Sequence, residues 1–153
     1  MTKKITIAID AMGGENSPKK NIEGLNMFLK KNKSNDFFIH LYGDEERIKK
    51  ELSLVKASTD KIKIVHSEGV VSDEESPMKA VKSSKNTSMW NSVSSQVNGD
   101  ADITLSAGNT GVLLVISRMI LKMMNEVSKP ALAGLWPSKK GMTVVLDLGA
   151  NIE

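Results

Sequence analysis

The sequence predicts an α/β fold built on a mostly parallel sheet, and three observations carry that prediction. Stretches of strand period and helix period alternate along the 153 residues, the pattern of a layered α/β domain. Several strand-like runs end on short turns of glycine and small polar residues, where open α/β sheets hold ligands. The chain is also long enough, with an apolar content of 40%, to bury one real core. No internal repeat, low-complexity segment or linker interrupts it, so residues 1–153 read as a single α/β domain.

Composition excludes several function classes. The formal charge of +3 is small and the lysines are scattered; a nucleic-acid footprint would need them clustered with aromatics. The absence of cysteine removes disulfides, thiolate metal sites and a cysteine nucleophile, and suits a reducing compartment. No signal peptide opens the chain. The longest apolar run, residues 112–124, contains Arg118 and Lys122 and is too short to span a bilayer. A soluble cytoplasmic protein is expected.

Ile5 to Ile9 reads as a buried first strand ending on Asp10-Ala11-Met12-Gly13-Gly14-Glu15. Asp10 has two readings, a substrate or metal contact and a cap for the Gly-Gly turn. Ser17-Pro18 predicts an N-cap followed by proline at the first helical position, and Ile22, Leu25, Phe28 and Leu29 form the buried stripe of the helix after it. Residues 37–42 make the second strand, 45–52 a charged helix, and 62–66 the third strand. His40 and His66 sit inside strands without metal-ligand spacing, so no metal site is predicted.

Residues 71–89 run from an acidic cluster through Pro77 to Lys79, Lys82 and Lys85, one basic stripe at helical spacing. That stripe reads either as a solvated helix face or as a counter-charge for phosphate or an acidic carrier. Residues 88–97 form another helix with Trp90 and Val93 inward. Residues 101–105 are a strand, and Ser106-Ala107-Gly108-Asn109-Thr110-Gly111 leads into a helix, residues 112–124, apolar on nearly every face. A strand, a glycine turn and a helix in that order aim backbone N–H groups and the positive dipole end at one spot. The plainer reading is a strand-to-helix turn with Asn109 or Thr110 as N-cap. Residues 131–135 are a short strand candidate. Residues 142–148 form a last strand, which runs into Gly149-Ala150-Asn151. A domain seldom stops on such a turn with no helix over it, and the chain is expected to be truncated.

Four of these segments resemble the bacterial phosphate acyltransferase (PlsX) family. Asp10-Ala11-Met12-Gly13-Gly14-Glu15 is similar to its opening DAMGGD motif, with Glu15 in place of Asp. Residues 106–111 match its SAGNTG segment, residues 129–133 resemble RPALA, and residues 147–151 resemble DxGAN. The likeness covers only the front part of the family. It implies a Rossmann-like three-layer α/β/α sandwich related to isocitrate and isopropylmalate dehydrogenases and to phosphotransacetylases. It implies transfer of a fatty acyl group from acyl carrier protein to inorganic phosphate, without a cofactor. Homodimers associating peripherally with the inner face of the cell membrane are implied as well. Ser83 and Ser84 stand where the family is often basic.

On this resemblance the amides of Gly108 to Gly111, with Ser106, Asn109 and Thr110, are expected to cradle phosphate beside Gly13 and Gly14. Lys82 and Lys85 would offset its charge, and Asp10, Asp147 and Asn151 would line the same crevice. Asp10, Asn109, Lys82 and Lys85 are the expected catalytic set. Two further readings stay open, a phosphotransacetylase-like enzyme and an inactive fragment serving as a binding module.

Overall fold

A computed structural model describes residues 4–34, 36–71, 82–146 and 148. Four strands form one parallel sheet in the order β3-β2-β1-β4, from β1 (Ile5–Asp10), β2 (Phe37–Gly43), β3 (Ile62–His66) and β4 (Ile103–Ser106). Near-continuous β-branched and aromatic runs produce the inner strands β1 and β2, whose residues are buried on both faces, as Ala8, Ile39, Leu41 and Tyr42 are. The register sets Asp10 opposite Tyr42 on one side and Ser106 on the other, which aligns three strand ends.

Alternation along each strand sorts the packing. Ile7, Ile9, Ile39 and Leu41 face α1 (Lys19–Lys31) and α2 (Glu45–Leu54), whose Ile22, Leu25, Ile48 and Leu52 complete the larger core. Ala8, Tyr42 and Thr104 face the other way, towards α3 (Ser88–Val97); the Thr104 hydroxyl donates to the Ser92 carbonyl at 2.9 Å. A second cluster, Met89, Val93, Val112 and Ile116, joins α3 to α4 (Thr110–Leu121). Side-chain caps fix three helix starts: Asp44 accepts from the Arg47 amide, Thr87 from Trp90 and Asn109 from Val112, at 3.0, 3.2 and 3.1 Å. The α/β expectation is met, with helices on both faces of the parallel sheet.

Three expectations need correction. Ser17 does not cap α1; its hydroxyl donates to the Met12 carbonyl at 2.6 Å and closes the preceding loop instead. Phe28 is 40% exposed rather than core, because α1 lies over β1 and β2 and leaves β4 bare. Residues 112–124 are not a helix buried all round. The helix ends at Leu121, and only Val112 and Ile116 are buried, since α3 covers a single stripe of it.

The last two strands, β5 (Ala133–Ser138) and β6 (Gly141–Leu146), do not extend the parallel sheet. They pair with each other as an antiparallel hairpin from Ser138↔Gly141 to Ala133↔Leu146. Lys139-Lys140 makes a two-residue turn, and such a turn brings consecutive strands together antiparallel. Gly141, at φ +133, accepts the backbone geometry that closes it, and the Ser138 hydroxyl donates to its carbonyl at 2.9 Å.

Candidate functional site

Two turns meet where β1 and β4 end. Asp10 is only 2% exposed, yet both carboxylate oxygens are satisfied. Oδ1 accepts the Met12 amide at 3.2 Å and Oδ2 accepts the Ser106 hydroxyl at 2.7 Å. Ser106 Oγ in turn accepts the Gly108 amide at 3.1 Å. Each side chain therefore closes its own turn two residues on, a habit of Asp and Ser beside the backbone. The Ser106 hydroxyl then bolts the two turns together.

Glycine is what lets them approach. A Cβ on Gly13 would lie 2.5 Å from Asp10 Oδ2, 2.8 Å from the Gly108 nitrogen and 2.9 Å from Ser106 Oγ. Gly14 sits at φ +85, and a Cβ there would lie 2.7 Å from the Ala107 carbonyl oxygen. Only glycine combines that φ with so close a backbone contact. Asn21 on α1 steadies the first turn from behind, donating from Nδ2 to the Ala11 and Gly13 carbonyls at 2.9 Å each. Met89 of α3 does the same for the second, since a Cβ on Gly108 would meet its methyl group at 2.8 Å. Asn21 and Met89 were not singled out from sequence, because a lone Asn beside Ile22 and a Met in an apolar helix carry no pattern of their own.

Past the second turn, α4 begins. Asn109 caps it with Oδ1 on the Val112 amide, and the Asn109 carbonyl accepts from Leu113 at 3.0 Å. The capping reading of Asn109 thus describes its geometry. The amides of Thr110 and Gly111 make no hydrogen bond among the described residues. Lying in the first turn, they carry the positive end of the helix dipole. Thr110 is exposed and Gly111 half-buried. The Gly108 amide is held by Ser106, so it faces the turn and not an open crevice.

The structure therefore brings Asp10, Gly13, Gly14, Ser106, Gly108, Asn109, Thr110 and Gly111 to one rim of the sheet. Lys82 and Lys85 stand exposed on the segment leading to α3. Asp147, Asn151 and Lys79 lie outside the described residues. Among the described residues no cluster of His, Cys, Asp or Glu could hold a metal ion, and no helix is long and apolar enough to cross a membrane. Directly behind the two turns, an apolar groove of about 310 Å³ runs along the α1 face, lined by Ile7, Ile9, Leu25, Phe28 and Leu105 with Lys20 and Asn21 beside them.

Known proteins share both the sequence and the fold. The family profile described as "Fatty acid synthesis protein" matches residues 5–153. A "Phosphate acyltransferase" of Pelagibacter ubique is 50% identical across 100% of this chain and 45% of its own length. Another, from Bradyrhizobium diazoefficiens, is 40% identical over 99% of the chain and 43% of its own length. The chain thus spans less than half of these relatives. The fold is similar to that of a solved structure titled "EutD phosphotransacetylase from Staphylococcus aureus", with a TM-score of 0.64 over 99% of this chain and 48% of that one at 14% identity.

Proposed function

This chain belongs to the fatty acid synthesis protein family, and from that premise we propose that it is the phosphate-binding portion of an acyl carrier protein-dependent phosphate acyltransferase. The observation that supports the reading most is the rim itself, where two glycine turns are bolted side by side at adjacent strand ends and the Thr110 and Gly111 amides point out of the helix that follows.

The chemistry asks little more of a protein. Phosphate is its own nucleophile: one of its oxygens attacks the thioester carbonyl, a tetrahedral oxyanion forms, and the thiolate of the carrier leaves as the C–S bond breaks. The products are an acyl phosphate and the free carrier thiol, the departing thiolate taking up the proton that the attacking hydrogen phosphate gives up. The enzyme's tasks are to hold a dianion next to the thioester and to stabilise the oxyanion. In this reading the Thr110 and Gly111 amides and the Thr110 hydroxyl supply the donors, Asn109 orients the first helical turn, and Lys82 and Lys85 offset charge as ammonium point charges. Asp147 and Asn151, assigned by the family resemblance alone, complete the proposed phosphate-binding set. Homodimerisation and attachment to the inner membrane face belong to the same proposal.

The test is acyl-phosphate formation from an acyl-carrier thioester and inorganic phosphate, trapped with hydroxylamine. Product is expected, with a phosphate KM that rises at least tenfold when Asn109 and Thr110 are both replaced by alanine. A phosphate dependence unchanged by that pair rejects the cradle. Product from acetyl-coenzyme A and none from the carrier thioester rejects the acyl donor.

A further inference from the structure

Asp10 is buried, charged and two hydrogen bonds deep in protein, so it deserves a role other than touching substrate. We infer that Asp10 and Ser106 form a positioning latch for the phosphate reading above, holding the Gly108–Gly111 turn in register with the Gly13–Gly14 turn without either side chain contacting phosphate. The inference rests on that reading for its purpose, but its geometry stands by itself.

The donors and acceptors account for one another. A carboxylate only accepts hydrogen bonds, and a serine hydroxyl has one proton. Ser106 gives that proton to Asp10 Oδ2 at 2.7 Å, so its oxygen is left to accept from the Gly108 amide at 3.1 Å. Asp10 Oδ1 is occupied by the Met12 amide. Neither side chain keeps a proton for an incoming anion, and the buried negative charge of Asp10 would repel one. What the pair does control is direction: with Gly108 pinned, the chain must leave the turn at the angle that presents Thr110 and Gly111 outward. Gly13, pressed against all three latch atoms, admits no slack.

The experiment compares D10N, S106A, the double substitution and S106T in this chain, by phosphate titration and by amide hydrogen exchange at Met12 and Gly108. D10N and S106A are each expected to weaken phosphate binding about tenfold. The double variant should be no worse than the weaker single one, since both remove one latch, and S106T should recover within twofold because threonine keeps the hydroxyl. D10N should speed exchange at Gly108, which it reaches only through Ser106. Additive losses in the double variant, or Gly108 exchange untouched by D10N, overturn the latch. If the parent chain binds no phosphate, the phosphate reading fails, while the exchange data still decide the latch.

Discussion

Replacing Gly13 with alanine probes the whole rim at once. The new methyl would stand 2.5 Å from Asp10 Oδ2, whereas ordinary contact begins at 3.4 Å, so the carboxylate must retreat by about 0.9 Å. A retreat of that size along the Ser106–Asp10 axis would stretch their 2.7 Å bond past hydrogen-bond length. The Gly108 nitrogen and Ser106 Oγ, at 2.8 and 2.9 Å, block the other ways out. Overpacking of this kind costs about 1–3 kcal/mol, and a buried hydrogen bond to a charged group adds roughly 1.5–3 kcal/mol. Together they remove about 2.5–6 kcal/mol from a domain whose total stability is on the order of 5–15 kcal/mol. For a chain of this size each kcal/mol moves Tm by roughly 2–4 °C, so a thermal melt followed by circular dichroism should shift down by about 10 °C. A Tm within about 2 °C of the parent would mean that the turns are not in contact, and the account of the rim fails with them. Gly24→Ala is the internal control. Nothing lies within 4 Å of a Cβ there, and the change in the middle of α1 should stabilise by about 0.5–1 kcal/mol.

Further outcomes follow from the same structure. Asn109→Asp keeps a good N-cap on α4, so Tm should hold, while a carboxylate at the anion site should weaken phosphate binding; Asn109→Ala should instead lose about 0.5–2 kcal/mol of stability as well. Asp44→Ala removes the cap of α2, with an expected loss of roughly 1 kcal/mol in urea unfolding and faster exchange at the Arg47 amide. His40 has its pKa lowered, first by burial and then by the Lys63 charge, with Asp100 pulling weakly the other way. The unfolded chain therefore takes up the proton first as pH falls. Stability is intact above the ordinary histidine value of about 6.5, declines below it towards the depressed folded value, and is flat once both states are protonated. His40→Gln should flatten that decline in urea midpoints measured between pH 7.5 and 5.5, and a slope that survives the substitution assigns it elsewhere.

Much of this was legible because local signals agreed with the fold. Strand-like runs such as residues 5–9 and 62–66, rich in isoleucine and valine, read correctly as strands, and Asn109 before an apolar stretch marked a helix start, since periodicity and capping act over a few residues. Pairing is different. Residues 142–148 look as much like a parallel-sheet strand as β1 does, and only the two-residue turn at Lys139-Lys140 separates a hairpin from a crossover. Phe28 failed for a similar reason: helical spacing puts it on the inner stripe, but what that stripe meets depends on where β4 lies. At the site, the motif residues were visible while their division of labour was not. Asp10 and Ser106 spend their polar atoms on each other, a contact between residues 96 positions apart, and no short-range pattern encodes that.

The bare flank of β4 has a practical consequence at the bench. Ile103 and Leu105 are 45% and 52% exposed, on a strand with a neighbour on one side only among the described residues. An unpaired edge beside oily side chains is a template on which other chains can add. Concentrated stocks should therefore cloud with time, faster in sulfate, which strengthens apolar association, and Leu105→Lys should keep them clear.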